Sequence, residues 1–204
     1  MNVFIEGLRQ YFSGEQLERI RRVKIGIAGA GGLGSNCAFN LARSGFNNIV
    51  ICDFDIVEPS NLNRQFYFVD QTGKPKVEML TENLLRINPD IKIDNRVIKL
   101  DSSNIKDVYK GCDIIVEAFD KADAKKMIAE AWAGNASLFV SASGLAGYGN
   151  SEGIKIKKVR DDFYIVGDGV SEATSQRPPY SPRVNIAAAK MADIILEWVL
   201  NGQA

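Results

Sequence analysis

The chain has 204 residues, 46% of them apolar and 25% charged, and Lys plus Arg balance Asp plus Glu at 25 each. A chain of this size buries roughly 70% of the surface its unfolded form would expose, so one globular domain over 1–204 is expected. Zero net charge gives no global pull toward nucleic acid or an anionic membrane, and the absence of His removes the usual neutral-pH general base. No run approaches the ~20 apolar residues of a membrane span, so the expectation is a cytoplasmic protein with no membrane partner. Cys37, Cys52 and Cys112 are widely spaced without a C-x-x-C, which supports neither a disulfide framework nor a structural zinc site and leaves core packing as their role.

In chain order, residues 1–22 read as a helical arm and 23–143 as a core of alternating strands and helices. "VKIGIAG" from Val23 is a short apolar strand, followed by a helix from Leu33 closed by Gly45. "NNIVICDFD" is a second buried strand. "KPKVEMLTENLLRINP" places Val77, Leu80, Leu84 and Ile87 on one helical face, with Pro near its start and Asn-Pro at its stop. "IKIDNRV" alternates, "CDIIVEAFD" is a further buried strand, "KADAKKMIAEAWAG" is a helix and "SLFVSAS" another core strand. This alternation predicts an α/β, Rossmann-like, doubly wound and mostly parallel sheet that binds its ligand beyond the carboxyl ends of the strands.

From residue 144 the rhythm changes. "IKIKKV" and "FYIVGDG" read as a short antiparallel extension, and the Pro-rich "SEATSQRPPYSPR" as a crossover or lid, so 144–183 forms a crossover region. Residues 184–204 close the chain as a helix with Ala187, Met191, Ile194 and Trp198 on one face, serving either the core or a subunit interface.

The chemistry begins at "GAGGLG". Gly29, Gly31 and Gly34 fit G-x-G-x-x-G between a strand and a helix, with Gly32 among them, where a phosphate meets a helix N-terminus. Asp53 follows at the spacing of a ribose-binding carboxylate. By itself this pattern says NAD, FAD or another nucleotide. The loop "EPSNLNRQFYF" then supplies Arg64, and Lys76 opens the next helix; two cations suit more phosphate than a pyrophosphate. Asp120 ends its strand at the same crevice, where it either holds Mg²⁺ on the phosphates or caps the helix that follows.

"GAGGLGSN", "DFDIVEPSNLNRQF", "GKPKVE", "RINP" and "VEAFDKAD" together resemble the ThiF/MoeB/HesA family, bacterial relatives of ubiquitin-activating enzymes. "FIEGLRQYF" and "GLAGYGNS" are similar to its shorter ThiF variant. The resemblance implies ATP-dependent adenylation of the C-terminal glycine of a ubiquitin-like sulfur carrier ending in Gly-Gly, of the ThiS type in thiamine thiazole synthesis. It implies a nucleotide site of Gly29, Gly31, Gly32, Gly34, Asp53, Asp55, Asn61, Arg64 and Lys76, and Mg²⁺ on Asp120. It adds Arg9 in "LRQ" as a residue reaching across a homodimer to the partner's phosphates. The catalytic set it implies is Arg64, Lys76, Asp120 and Arg9. Zinc is not expected, because this chain lacks the Cys pairs that many members of the family carry, and nucleic acid is not expected, because the charge is balanced and no basic run is present. Two other readings stay open: a non-catalytic nucleotide-binding subunit, and a relative that activates a different carrier or carboxylate, such as one on a tRNA base.

Overall fold

In the computed structural model, which describes residues 2–202, one seven-stranded sheet runs through the chain. Two helices come first, α1 (Val3–Leu8) and α2 (Gly14–Arg22). Ser13 and Gln16 form a capping box that starts α2, and Leu17 and Ile20 bury its apolar face. Strand β1 (Ile25–Ala28) follows, then α3 (Gly32–Arg43), β2 (Asn48–Cys52), α4 (Lys76–Leu85) and β3 (Lys92–Arg96). The core continues with α5 (Ile105–Val108), β4 (Ile114–Glu117), α6 (Ala122–Trp132) and β5 (Leu138–Ala142), and the chain closes with β6 (Lys155–Arg160), β7 (Phe163–Gly167) and α7 (Ser181–Leu200).

The strand order is β3-β2-β1-β4-β5-β7-β6, parallel except for the β6–β7 hairpin. Every residue of β1 and β4 is buried, which is why both read as continuous apolar runs rather than alternating ones. The order reverses between β1 and β4. Helices leave these two strands toward opposite faces of the sheet, opening a crevice at their carboxyl ends.

The expected fold class holds, including the antiparallel C-terminal extension. That extension is part of the main sheet, because β7 pairs in parallel with β5, Phe139 opposite Phe163 through Ala142 opposite Val166. The C-terminal helix starts at Ser181, three residues before the predicted 184, with Pro182 in its first turn. Its face of Ala187, Ala188, Met191, Ile194, Ile195 and Trp198 is buried in the core, against α3 and α2. Residue 1 of the predicted arm and residues 203 and 204 of the predicted terminal helix lie outside the described residues.

The Pro-rich crossover is tied down by charge. Arg183, only 3% exposed, forms an ion pair with Asp168 and donates to Gly149 O at 2.7 Å and Asn150 O at 3.1 Å. Gly147 N–H donates to Pro178 O, and Ala146 N–H to Ser171 Oγ. None of the described helices is long and apolar enough to cross a membrane.

Candidate functional site

The turn from β1 into α3 is built so that only glycine fits at its two ends. Gly29 has φ +99, and a methyl group on Gly34 would lie 1.8 Å from Gly29 O. The carbonyl of Gly29 therefore nests against the first turn of α3, leaving half-buried Gly31 and Gly32 at the helix N-terminus with its free N–H groups. A methyl on Gly29 would meet Ala118 O at 2.9 Å, so the turn after β4 closes directly on this loop.

Asp53, just past β2, accepts from Ala30 N–H through Oδ2 at 2.6 Å and from Asp55 N–H through Oδ1 at 2.9 Å. It thus holds the glycine loop to the end of β2. Asp55 in turn pairs with Lys76, Oδ2 to Nζ 2.8 Å. The Lys76 side chain is 7% exposed and that of Asp55 50%, so the ammonium sits on the inner side of the pair.

The loop between β2 and α4 carries a 3-10 turn at Pro59–Asn61. Buried Asn61 accepts Glu58 N–H through Oδ1 at 3.0 Å, capping that turn. Half-buried Arg64 donates from its guanidinium to Ser60 O at 3.0 Å and Asn63 Oδ1 at 2.8 Å. Its backbone carbonyl accepts Asn36 Nδ2–H at 2.8 Å, and a methyl on Gly32 would lie 3.7 Å from Arg64 Cγ. The structure therefore brings Gly29, Gly31, Gly32, Gly34, Asp53, Asp55, Arg64 and Lys76 together through direct contacts, with Asn61 in the turn beneath Arg64. Tyr67 locks the assembly by donating its hydroxyl to Ala30 O at 2.7 Å; burial, then Asp53 and Asp55, raise its ionisation well above the usual range, so it stays a donor.

Asp120 is exposed on the same carboxyl edge, two residues past Ala118. The helix behind it begins at Ala122 and its N-cap is Lys121, with no side-chain capping bond, so Asp120 does not cap it. Arg9 is placed differently. It is exposed beside Asn47, Asn48 and Lys92, around a cavity of about 830 Å³ at the amino ends of β2 and β3. Strands of this length, at ~3.3 Å per residue, hold it roughly 15 Å from the edge where Asp120 lies. Arg9 is therefore out of reach of its own chain's crevice, and any role there requires a second copy.

Sequence reasoning missed Glu117. The last residue of β4 is fully buried, and its carboxylate accepts from Phe119 N–H at 2.7 Å, Ser141 Oγ at 2.6 Å and Lys125 Nζ at 2.9 and 3.0 Å. Lys125 also donates to Ala142 O at 2.9 Å. One carboxylate thus joins β4, β5 and α6 directly under the Ala118–Asp120 turn. A charged residue inside the apolar run "IIVEAF" was the signal that a buried partner existed.

The cysteines are inert. Burial pushes the Cys37 and Cys52 thiols up to about 12 and that of Cys112 up to about 11. Each stays a thiol at neutral pH.

The groups present fit an ATP-type ligand with Mg²⁺. An open helix N-terminus and two cations suit a polyphosphate, and a single exposed carboxylate suits an ion that keeps most of its oxygen ligands from phosphate and water.

Among curated proteins, the chain is 33% identical over 111 residues to the SAMP-activating enzyme E1 of Haloferax volcanii, covering 54% of this chain and 41% of that one. It is 33% identical over 128 residues to the adenylyltransferase and sulfurtransferase UBA4 of Saccharomyces cerevisiae, covering 62% and 29%. It thus spans less than half the length of these relatives. Its fold is similar to that of the E. coli tRNA N6-threonylcarbamoyladenosine dehydratase TcdA in complex with ATP, with a TM-score of 0.80 at 20% identity, covering 97% of this chain and 92% of that one. The ThiF family profile matches residues 7–178, which takes in the glycine loop, the Asn61–Lys76 segment and Asp120, and the chain belongs to the ThiF family.

Proposed function

We propose that this protein is an ATP-dependent adenylyltransferase acting on the C-terminal carboxylate of a ubiquitin-like sulfur carrier ending in Gly-Gly, of the ThiS type that serves thiamine thiazole synthesis. The observation that carries the reading is the convergence of Gly31, Gly32, Asp53, Arg64, Lys76 and Asp120 on one sheet edge at the strand-order reversal. The names of the relatives, an E1 and an adenylyltransferase, support the same activity.

The chemistry suits a chain without histidine. A C-terminal carboxylate is ionised at neutral pH, so it attacks the α-phosphorus of ATP without a general base. The new bond is carboxyl O–P, the bond to the β-phosphate oxygen breaks, and pyrophosphate leaves with that electron pair. Alignment and charge stabilisation remain to be supplied. N–H groups at the start of α3 hold phosphate oxygens, Asp53 accepts a ribose hydroxyl, and Arg64 and Lys76 face the charge on the leaving pyrophosphate. Asp120 is the residue that would hold Mg²⁺, whose contribution when bound is to neutralise phosphate charge. With three protonated thiols in the core, sulfur reaches the activated carrier from another protein. Arg9 would act in a homodimer, on the partner's phosphates.

The test is mass spectrometry of a ThiS-like carrier incubated with the protein, ATP and Mg²⁺. The reading expects AMP on the carrier's C-terminal residue, lost when the terminal glycine is deleted. An unmodified carrier beside an adenylated tRNA-borne or small-molecule acid would overturn the carrier assignment and keep the adenylation.

A further inference from the structure

We propose that Gln65 is a nucleotide-binding residue, its side-chain amide held unpaired beside the glycine loop to hydrogen-bond the phosphate end of the ligand. The inference rests on the nucleotide reading above and adds a residue to it. Gln65 is only 9% exposed, yet its Oε1 is buried and accepts no hydrogen bond from any of the described residues. Leaving a buried amide oxygen unpaired is unfavourable, because water has been removed and nothing replaces it.

The amide is not there by slack packing. Residues 64–67 are fastened to the glycine loop and the start of α3 at three points: Asn36 Nδ2–H to Arg64 O at 2.8 Å, Phe66 N–H to Ser35 Oγ at 3.0 Å, and Tyr67 O–H to Ala30 O at 2.7 Å. Gln65 N–H is itself used, donating to Asn61 O at 3.0 Å. The side chain is thereby aimed at Gly31, the N-cap of α3, where a methyl group would lie 3.9 Å from Gln65 Nε2. Gly31 carries no side chain to complete the amide, and the first α3 turn beside it has free N–H groups. An amide offers two donors and an acceptor. Phosphate oxygens of a bound nucleotide complement the NH₂, and turning of the amide as the ligand enters would bring the buried carbonyl to a hydroxyl or hydration-water proton.

The role makes two effects of opposite sign. Gln65→Leu removes an unpaired polar group from the ligand-free protein, so without nucleotide it should melt at or above the wild-type temperature. It also removes a hydrogen bond to a charged ligand, so ATP should bind about tenfold or more weakly. Gln65→Met, with an unbranched side chain of similar length, serves if leucine does not pack, and Arg64→Ala gives the reference loss for the site. Both quantities are read on the full chain, by thermal unfolding without nucleotide and by calorimetric titration with Mg-ATP. Gln65→Leu or Gln65→Met with wild-type ATP affinity, while Arg64→Ala binds weakly, would overturn the proposal and leave the nucleotide site standing. Wild-type protein that binds no ATP would overturn both.

Discussion

Replacing Lys125 by methionine would strip a buried carboxylate of the cation that neutralises it. The ammonium makes three contacts, two to Glu117 at 2.9 and 3.0 Å and one to Ala142 O at 2.9 Å. Methionine keeps much of the stem but leaves the Glu117 side chain, 1% exposed, with Ser141 Oγ and Phe119 N–H, both neutral donors. Removing one member of a buried pair costs roughly 3–5 kcal/mol. Lys125 is 27% exposed, which screens the pair, so the lower end applies, about 3 kcal/mol. For a chain of this size that is a fall in Tm of roughly 6–12 °C. The double variant Glu117→Gln/Lys125→Met leaves no buried charge and should recover most of the loss. Urea unfolding of wild type, Lys125→Met and the double variant, with slopes compared, measures all three. A Lys125→Met loss under about 1 kcal/mol, or a double variant no more stable than the single one, would refute the reasoning.

Gly34→Ala should abolish nucleotide binding and lower stability by more than the ~1–3 kcal/mol of ordinary overpacking, since its methyl meets backbone at 1.8 Å; wild-type ATP affinity in that variant would contradict the loop geometry. Burial would raise the Asp168 carboxyl, but donors from Ser171 and Val170 and the charge of Arg183 outweigh it and hold it below its ordinary value. A carboxyl depressed by folding contributes stability above its unfolded pKa, about 3.9, and loses it as pH falls through the folded one. Asp168→Asn should therefore be less stable at pH 7 and converge on wild type below about pH 4, and urea unfolding across that range shows whether it does. A thiol reagent at pH 8 should label none of the three cysteines until the chain is unfolded, and rapid stoichiometric labelling of the native protein would put one at the surface. Arg64→Ala and Asp120→Ala should each slow adenylation by on the order of 10² or more, as loss of a transition-state charge contact does.

The fold was legible wherever burial dictates pattern. "IGIA" and "IIVE" are apolar throughout because parallel strands are covered on both faces, and Val77, Leu80 and Leu84 recur at helical spacing because one face of α4 meets the sheet. The glycine loop was legible because its chemistry is local, four glycines within six residues. What stayed hidden depends on partners distant in sequence. Glu117 finds Ser141 24 residues on, Arg183 finds Asp168 and the carbonyls of 149 and 150, and Tyr109 reaches Ile27 O across 82 residues. Gln65 was in view as part of a polar loop, but only its burial beside Gly31 distinguishes it from its neighbours. Arg9 carries a motif but no position, and the fold puts it at the opposite edge of the sheet.

ATP–pyrophosphate exchange with Mg²⁺, in the presence and absence of a ThiS-like carrier ending in Gly-Gly, is the decisive measurement of carrier adenylation. Exchange should require the carrier and disappear when its terminal glycine is removed. Tight ATP binding without exchange, whatever acid is added, would contradict carrier adenylation and make this chain a nucleotide-binding subunit.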